Sequence, residues 1–422
     1  MGTIAEKLLY LDDTKTAIRD AINALGGELA VDSPFRSYVD EVWRPFFTET
    51  LFGAGEIGIW YDPSDISTLF QDSRGSVPVT ASGQPVGLIL DKSKGLQLGP
   101  DLVVNGGFDS SDSWAENGPI ISGGVASFSG QFRSLEQTLA VENDKYYKLE
   151  FEVLAMSGSE ALAVSSSGFG LVSDIFIPKL GVNERIIFCK DSTKPLRLIQ
   201  PYTGTSITID NVKLRHLPGN HATQNIAGAK PIYRSVAGQQ HLEFDGVQDF
   251  LETGPIDFSG TTKLIATVAL EKLRSAGREM LIELSPTVAT PGTFNIDHSQ
   301  NIPGAFAATI SADNPGGATV NAASAIGKSV VSASFDTSAA DTLSKIKIYL
   351  NGEEQSTALL GNPDAGSGDL HKHSLYIGSR GGTSLYFQGS IYGMVIRAGG
   401  ASTVNLERIH KYAGTKSGVL IP

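Results

Sequence analysis

The sequence predicts a mainly β protein: two β-sandwiches of jelly-roll type, one inserted in the other, behind a short N-terminal α-helical segment. Three observations carry this. Gly is abundant, 47 of 422 residues, with 19 Pro, which suits many short strands and turns rather than long helices. Apolar and polar residues alternate in short runs over most of the chain beyond residue 51. A β segment at 51–95 stops unfinished, and its continuation stands at 219–253, around a self-contained stretch. A chain of 422 residues is also too long for one core. The expected division is a helical segment at 1–48, a discontinuous sandwich at 49–97 and 218–422, and an inserted sandwich at 98–217.

Residues 3–25 are the one long helix. Ile4, Leu8, Leu11, Lys15, Ile18, Ile22 and Leu25 recur at a 4-3-4-3-4-3 spacing, a heptad seam with a polar residue in one slot. Thr3 with Glu6 makes a capping box, and Gly26-Gly27 ends the helix. A narrow seam with charged flanks points to self-association, and Ile-rich core slots to a homotrimer. A second short helix is expected at 34–42, followed by a WRPFF linker at 43–47.

From Leu51 the period changes to two. Ile57, Ile59 and Tyr61 alternate as a strand, and Asp62-Pro63-Ser64-Asp65 makes a turn. Residues 76–90 read as two short strands. The stretch 98–217 carries about eight alternating runs, which fits a jelly roll. Further strands follow at 241–246, 263–273, 279–284, 329–336, 344–355, 375–380 and 391–399. Asn351-Gly352 signals a two-residue hairpin. The Gly/Ala/Asn/Pro-rich 311–327 reads as a loop. A short helix at 404–414 closes the chain, with Leu406, Ile409 and Tyr412 near one face.

The net charge of −12 and the lack of any basic run exclude a nucleic-acid surface. Only 18% of residues are charged, so the surface is polar through hydroxyls and amides. The single cysteine, Cys189 in the apolar run RIIFC, allows no internal disulfide. The N-terminus lacks a signal-peptide pattern, and no stretch is long and apolar enough for a membrane span, so no membrane insertion is expected.

The segments FDGVQDFLET (244–253), SKIKIYLNGEEQ (344–355) and SLYIGSRGG…FQGSIYGMVI (374–396) resemble the laminin-G and pentraxin group of concanavalin A-like lectin domains. The segment 60–93 resembles a leader found before such domains in tailed-bacteriophage structural proteins, in which a D-K-S-G turn runs straight into G-N-H-A-T-Q. Here Gly95 and Gly219 stand on the two sides of that join. The N-terminal helix also resembles the starts of phage tail and fibre proteins. The inserted stretch, with V-x-N-G-G-F-D before Trp114 and T-I-D-N-V at 208–212, resembles galactose-binding-like carbohydrate-binding modules. That resemblance implies a structural Ca²⁺ held by Asn105 to Asp109 and Asp210; no other cofactor is expected.

Catalytic patterns are sparse. Gly53 to Gly58 matches G-x-G-x-x-G but follows no strand and opens no helix. Glu150 and Glu152 share a strand face but lack the spacing of glycanase motifs on this fold. His371 and His373 lack a third ligand nearby. Sugar recognition would stack aromatic rings on the pyranose and add polar hydrogen bonds. The inserted module offers Trp114, Phe132, Phe169, Phe176 and Tyr202, and the outer one Asp245, Asp249, Arg380 and Tyr386. Aromatic side chains at such positions also serve as core. The expectation is a non-enzymatic virion-surface protein, a tail fibre or spike, synthesised in the bacterial host cytoplasm. It would trimerise and dock to other virion proteins through its helix and bind host-surface polysaccharide. The alternatives are a polysaccharide depolymerase using dispersed carboxylates and a purely structural decoration protein.

Overall fold

The computed structural model describes residues 4–24, 31, 52, 56–157, 162–164, 174–176, 178–203, 206–275, 277–285, 290–298, 302, 304–312, 315–320, 324, 326–400 and 403–422. The chain is mainly β, with four large antiparallel sheets.

Two of these sheets draw strands from both sides of residues 98–217. An eight-stranded sheet runs Ile232–Val236, Gln239–Asp245, Gln388–Ala398, Lys263–Lys272, Gly327–Asp336, Ile346–Leu350 and Glu353–Glu354, and Gly58–Tyr61 also pairs with Gln388–Ala398. A ten-stranded sheet runs Leu69–Phe70, Leu88–Ile89, Ala222–Thr223, Leu251–Thr253, Leu375–Ile377, Met280–Leu284, Thr293–His298, Phe306–Ser311, Pro315–Val320 and Thr357–Gly361. Their facing sides share one apolar core. Leu264, Ala266, Val268 and Leu270 of one sheet meet Ile282, Leu284, Phe294, Ile296 and Ile310 of the other. Period-two alternation explains which residues these are.

The strand Lys263–Lys272 is apolar on its second face too. The C-terminal helix Thr403–Ser417 covers that face. Leu406, Ile409 and Tyr412 pack on Trp60, Ile265 and Val395, and Trp60 Nε1 donates to Tyr412 Oη at 2.6 Å. A third layer thus accounts for the near-continuous apolar strand.

Ala222 sits opposite Ile89, although 132 residues of sequence separate the two ends of that pairing. The buried Asp91 ties the join, accepting from the backbone N–H groups of Trp60, Ser93 and Asn220. Ten strands between residues 115 and 217 form two five-stranded sheets distinct from the outer pair: Asp174–Phe176, Leu162–Val164, Leu196–Gln200, Arg133–Gln137, Ala115–Asn117, and Gly181–Cys189, Lys145–Ser157, Ser206–Leu217, Val125–Ser129, Ile120–Ser122. They enclose a separate core around Phe128, Leu149, Phe151, Leu198 and Leu214. The entering and leaving chains run side by side, Gly99 N–H donating to His216 O and Leu102 N–H to Leu214 O.

Several expectations are corrected. Residues 311–327 contain the strand Pro315–Val320, which pairs on both sides. Its glycines let the backbones close up: a Cβ on Gly317 would lie 2.9 Å from Thr309 Oγ1. Residues 76–90 hold one two-residue strand, Leu88–Ile89, plus isolated bridges at Pro78 and Pro85. Ala115–Asn117 and Ile120–Ser122 were not expected; both are short and mostly exposed, so neither shows apolar alternation. The Asn351-Gly352 hairpin is present, with φ of 52° and 90° at the two central residues.

The N-terminal helix spans Ile4–Ala24. Ile18 is 37% exposed and Lys15 half-buried. The side chains of Ile4, Leu8, Leu11 and Ile22 lie outside the described residues. So do Thr3, Leu25, Gly26, Gly27, the expected helix at 34–42 and the 43–47 linker.

Candidate functional site

The inserted sandwich stands on one end of the ten-stranded sheet. Tyr146, Ile186 and Leu217 pack on Leu88 and Leu90, with Phe70 and Phe188 at the edge. Ile186 N–H donates to Arg74 O at 2.7 Å, Tyr146 Oη to His221 O at 3.0 Å, and Lys372 pairs with Asp144. Beside this contact the surfaces part into a cleft of about 690 Å³. Tyr146, Ile186 and Phe188 of the insert form one wall; Thr223, Gln224, Phe250 and Glu252 line the other side.

Strand chemistry explains the cleft's character. Tyr146 and Phe188 are direct partners on neighbouring strands, with ring centroids 4.8 Å apart. Phe188 is half-buried and lies against Gly254, where a Cβ would meet the ring at 2.8 Å. Phe250 is also half-buried, and Asn225 and Lys190 are exposed at the rim. Gln224 is spent internally: its amide donates to Phe250 O and accepts from Ile226 N–H. Apolar rings beside a few polar groups, in this volume, suit a small ligand or a short stretch of oligosaccharide.

The floor continues far beyond the cleft. At one level of the ten-stranded sheet the register aligns Phe70, Leu88, Thr223, Glu252, Tyr376, Glu283, Asn295, Thr309, Gly317 and Leu360, on the side away from the apolar core. Tyr376 Oη donates to Glu252 Oε1 at 2.9 Å. Arg380 Nε donates to Glu283 Oε1 at 2.9 Å, and Arg278 pairs with Asp297, two residues from Asn295 on the same face. Glu283, Asn295 and Asp297 are fully buried. Burial pushes the Glu283 carboxyl up to about 7, against the pull of Arg380. Burial likewise raises Asp297 to about 6 despite Arg278.

The structure rearranges the residues singled out from sequence. Trp114 is buried in the core of the insert, its Nε1 donating to Asn105 O at 3.0 Å, so it offers no stacking face. Phe132 and Tyr202 are exposed at 59% and 46%, and both sit at the end of the Arg133↔Gln200 strand pair. Phe169 lies outside the described residues, as does the Phe176 side chain. Asp245 is a loop anchor, accepting from the N–H groups of Val247, Gln248 and Asp249. Asp249 is buried and accepts from Asp245 N–H; burial, with the Asp245 charge, pushes it up to about 7. Arg380 is held by Glu283, and Tyr386 Oη donates to Gly382 O at 2.7 Å. The four outer-sandwich residues therefore do not converge on one exposed site.

The calcium set does not fit either. Asn105 turns its amide nitrogen to the carbonyls of Ser110 and Asp112 and its Oδ1 to Asp109 N–H. Asp210 accepts from Asn211 N–H. Asn105 Oδ1 and Asp210 Oδ1 thus each already accept a backbone N–H. Among the described residues no group of three or more His, Cys, Asp or Glu could hold a metal ion. Glu150 pairs with Lys213 and Glu152 accepts from Asn211, as on a solvated face. The Cys189 thiol is buried, and burial raises it to about 11.

Phe188, Phe250, Glu252, Glu283, Asn295 and Asp297 were not anticipated. Thr293-Phe294-Asn295-Ile296-Asp297 carried the signal in its strict alternation, which puts Asn295 and Asp297 on one strand face opposite two core residues.

No protein-family model and no curated protein sequence matches the chain. Solved structures give distant likenesses. One is Trypanosoma rangeli sialidase in complex with the inhibitor DANA, at 12% identity and TM-score 0.31, over 46% of this chain and 29% of that one. Another is the CBM40 of Ruminococcus gnavus IT-sialidase, at 16% and 0.29, over 39% and 94%. A third is the heptameric SAP-like pentraxin from Limulus polyphemus, at 12% and 0.30, over 42% and 80%. The chain thus spans under a third of the sialidase's length. Likenesses this distant identify no function.

Proposed function

We propose that this protein is a virion-surface component of a tailed phage that binds host-surface glycan in the cleft between its two sandwiches, without catalysis. One observation carries the binding reading: a cleft of about 690 Å³ in which Tyr146, Phe188 and Phe250 stand beside Glu252 and Asn225. The virion setting rests on the resemblance of residues 60–93 and of the N-terminal helix to phage proteins. Self-association through that helix would let individually weak sugar contacts add up.

The test is a printed oligosaccharide array probed with the full chain and with Phe188→Ala and Phe250→Ala. Retention by the full chain that either variant reduces at least tenfold supports the reading. Absence of retention on every spot overturns it. The docking and location are tested by imaging particles with antibody raised against the chain.

Hydrolysis of the same glycan is the second reading. Glu283 and Asp297 favour it, as two buried carboxyls on neighbouring strands with raised pKa values. Each is held by a guanidinium, which weighs towards binding. Release of reducing ends by the full chain, absent in Glu283→Gln, would establish hydrolysis.

A further inference from the structure

The lining of the cleft inverts the charge of the chain. The protein as a whole carries a net charge of −12. The cleft is lined by two cations, Arg74 and Lys190, and, among the described residues, by one carboxylate, Glu252. Glu252 already accepts from Tyr376 Oη at 2.9 Å. The acids beside Lys190 are engaged as well. Asp191 Oδ1 accepts from Thr193 N–H at 3.0 Å and from Thr193 Oγ1 at 2.6 Å. Asp144, whose N–H donates to Cys189 O, pairs with Lys372.

The strand sets the spacing of ring and charge. Ile186, Phe188 and Lys190 alternate along Gly181–Cys189 and the residue after it, and all three line the cleft. Alternate residues of a strand point to one side and lie about 6.6 Å apart. The Phe188 ring and the Lys190 ammonium therefore stand about one sugar ring from each other. Arg74 joins the same wall from the neighbouring segment. Its carbonyl accepts from Ile186 N–H at 2.7 Å, and the residue is half-buried. A pyranose laid on Phe188 thus carries a ring substituent to Lys190. Negative charge on that substituent is favoured, because the neighbouring rings of Tyr146 and Phe250 exclude water and an ion pair strengthens as water leaves. The Debye length at physiological salt is about 8 Å, so the cations in the cleft act on a ligand there while distant carboxylates are largely screened.

We propose that the cleft selects an acidic saccharide, with one sugar ring on Phe188 and its carboxylate or sulfate paired with Lys190 in the field of Arg74. This rests on the glycan-binding reading of the cleft and adds to it the charge class of the ligand.

The experiment probes the full chain on an array of uronic-acid oligosaccharides, the same oligosaccharides with each carboxyl reduced to the alcohol, and neutral oligosaccharides with and without sulfate. The strongest acidic hit is then titrated against its uncharged counterpart. The acidic form should bind about fivefold more tightly, the value of one ion pair at a partly exposed site. Lys190→Gln should bring that ratio to within twofold, and Lys190→Arg should restore it. Lys190 is exposed at the rim, so both variants keep the fold. Preference for carboxylated over reduced spots assigns the anion to a uronic acid, and preference for sulfated over unsulfated spots assigns it to a sulfate; either supports the proposal. Equal binding of charged and uncharged forms, still impaired in Phe188→Ala, would overturn the acidic preference and leave the cleft reading standing. An acidic preference that Lys190→Gln leaves intact would place the anion elsewhere and overturn the proposal. Retention on no spot removes both.

Discussion

Replacing Glu283 by Gln should flatten the pH dependence of stability. The folded-state value of about 7 lies above the usual carboxyl value of 4.5, because burial disfavours the charged form. A raised folded value means that the unfolded chain ionises first. Stability from this group is therefore complete below about pH 4.5 and is lost as the pH rises towards 7, where the loss levels off. Between pH 5 and pH 8 those two values correspond to a loss on the order of 2–3 kcal/mol. Gln is neutral in both states and nearly isosteric, so over that interval the variant should lose less stability than the wild type does, by an amount on the order of 2–3 kcal/mol. The assay is urea unfolding at pH 5, 6, 7 and 8 for both proteins, following tryptophan fluorescence and fitting each transition separately. Trp60 is buried in the outer sandwich and reports on the unit that holds Glu283. Asp297 contributes a slope of the same sign and is coupled by charge to Glu283, so the comparison reads the two carboxyls together. Parallel pH profiles would refute the reasoning, because Glu283 would then ionise in the fold as readily as in water.

Tyr412→Phe should cost about 1–3 kcal/mol by leaving the buried Trp60 indole N–H unpaired, read as a lower unfolding midpoint. Gly106→Ala should destabilise the inserted sandwich by about 1–3 kcal/mol, since a Cβ there would collide with the carbonyl oxygen of Val212. Hydrogen exchange should show faster opening confined to residues 98–217. Removing residues 1–30 should convert the particle from a trimer to a monomer by native mass measurement; an unchanged mass would refute self-association through the helix.

Much of the outer sandwich was legible because strand alternation reports burial on one side. HLEFDG, KLIATVALEKL and IYGMVIRAG were all expected as strands and all lie in the eight-stranded sheet. The C-terminal helix was legible from Leu406, Ile409 and Tyr412, and those three residues pack on the sheet, alongside Ala413 and His410. Edge and exposed strands such as Ala115–Asn117 were not, because with no buried face they carry no periodic signal. Pro315–Val320 was hidden by composition: its glycines look like loop but serve a close approach between strands.

The site was far less legible. Asp245 and Asp249 looked available for a ligand because they are acidic and flank a turn, yet their oxygens hold that turn's own N–H groups. Trp114 could serve either as a stacking face or as core by its sequence, and it is core. Phe188 and Phe250 stand 62 residues apart in sequence, and nothing local in either run marks them as two sides of one cleft. By itself the sequence determined the β class, the positions of most long strands, the tight hairpin and the terminal helix, since each depends on neighbours within a few residues. Only the tertiary structure decided that Glu252, Tyr376, Glu283 and Asn295 stand in one row, because register between strands brings together residues that share no local pattern. The unpaired state of Asn295 is likewise a property of what surrounds it in space.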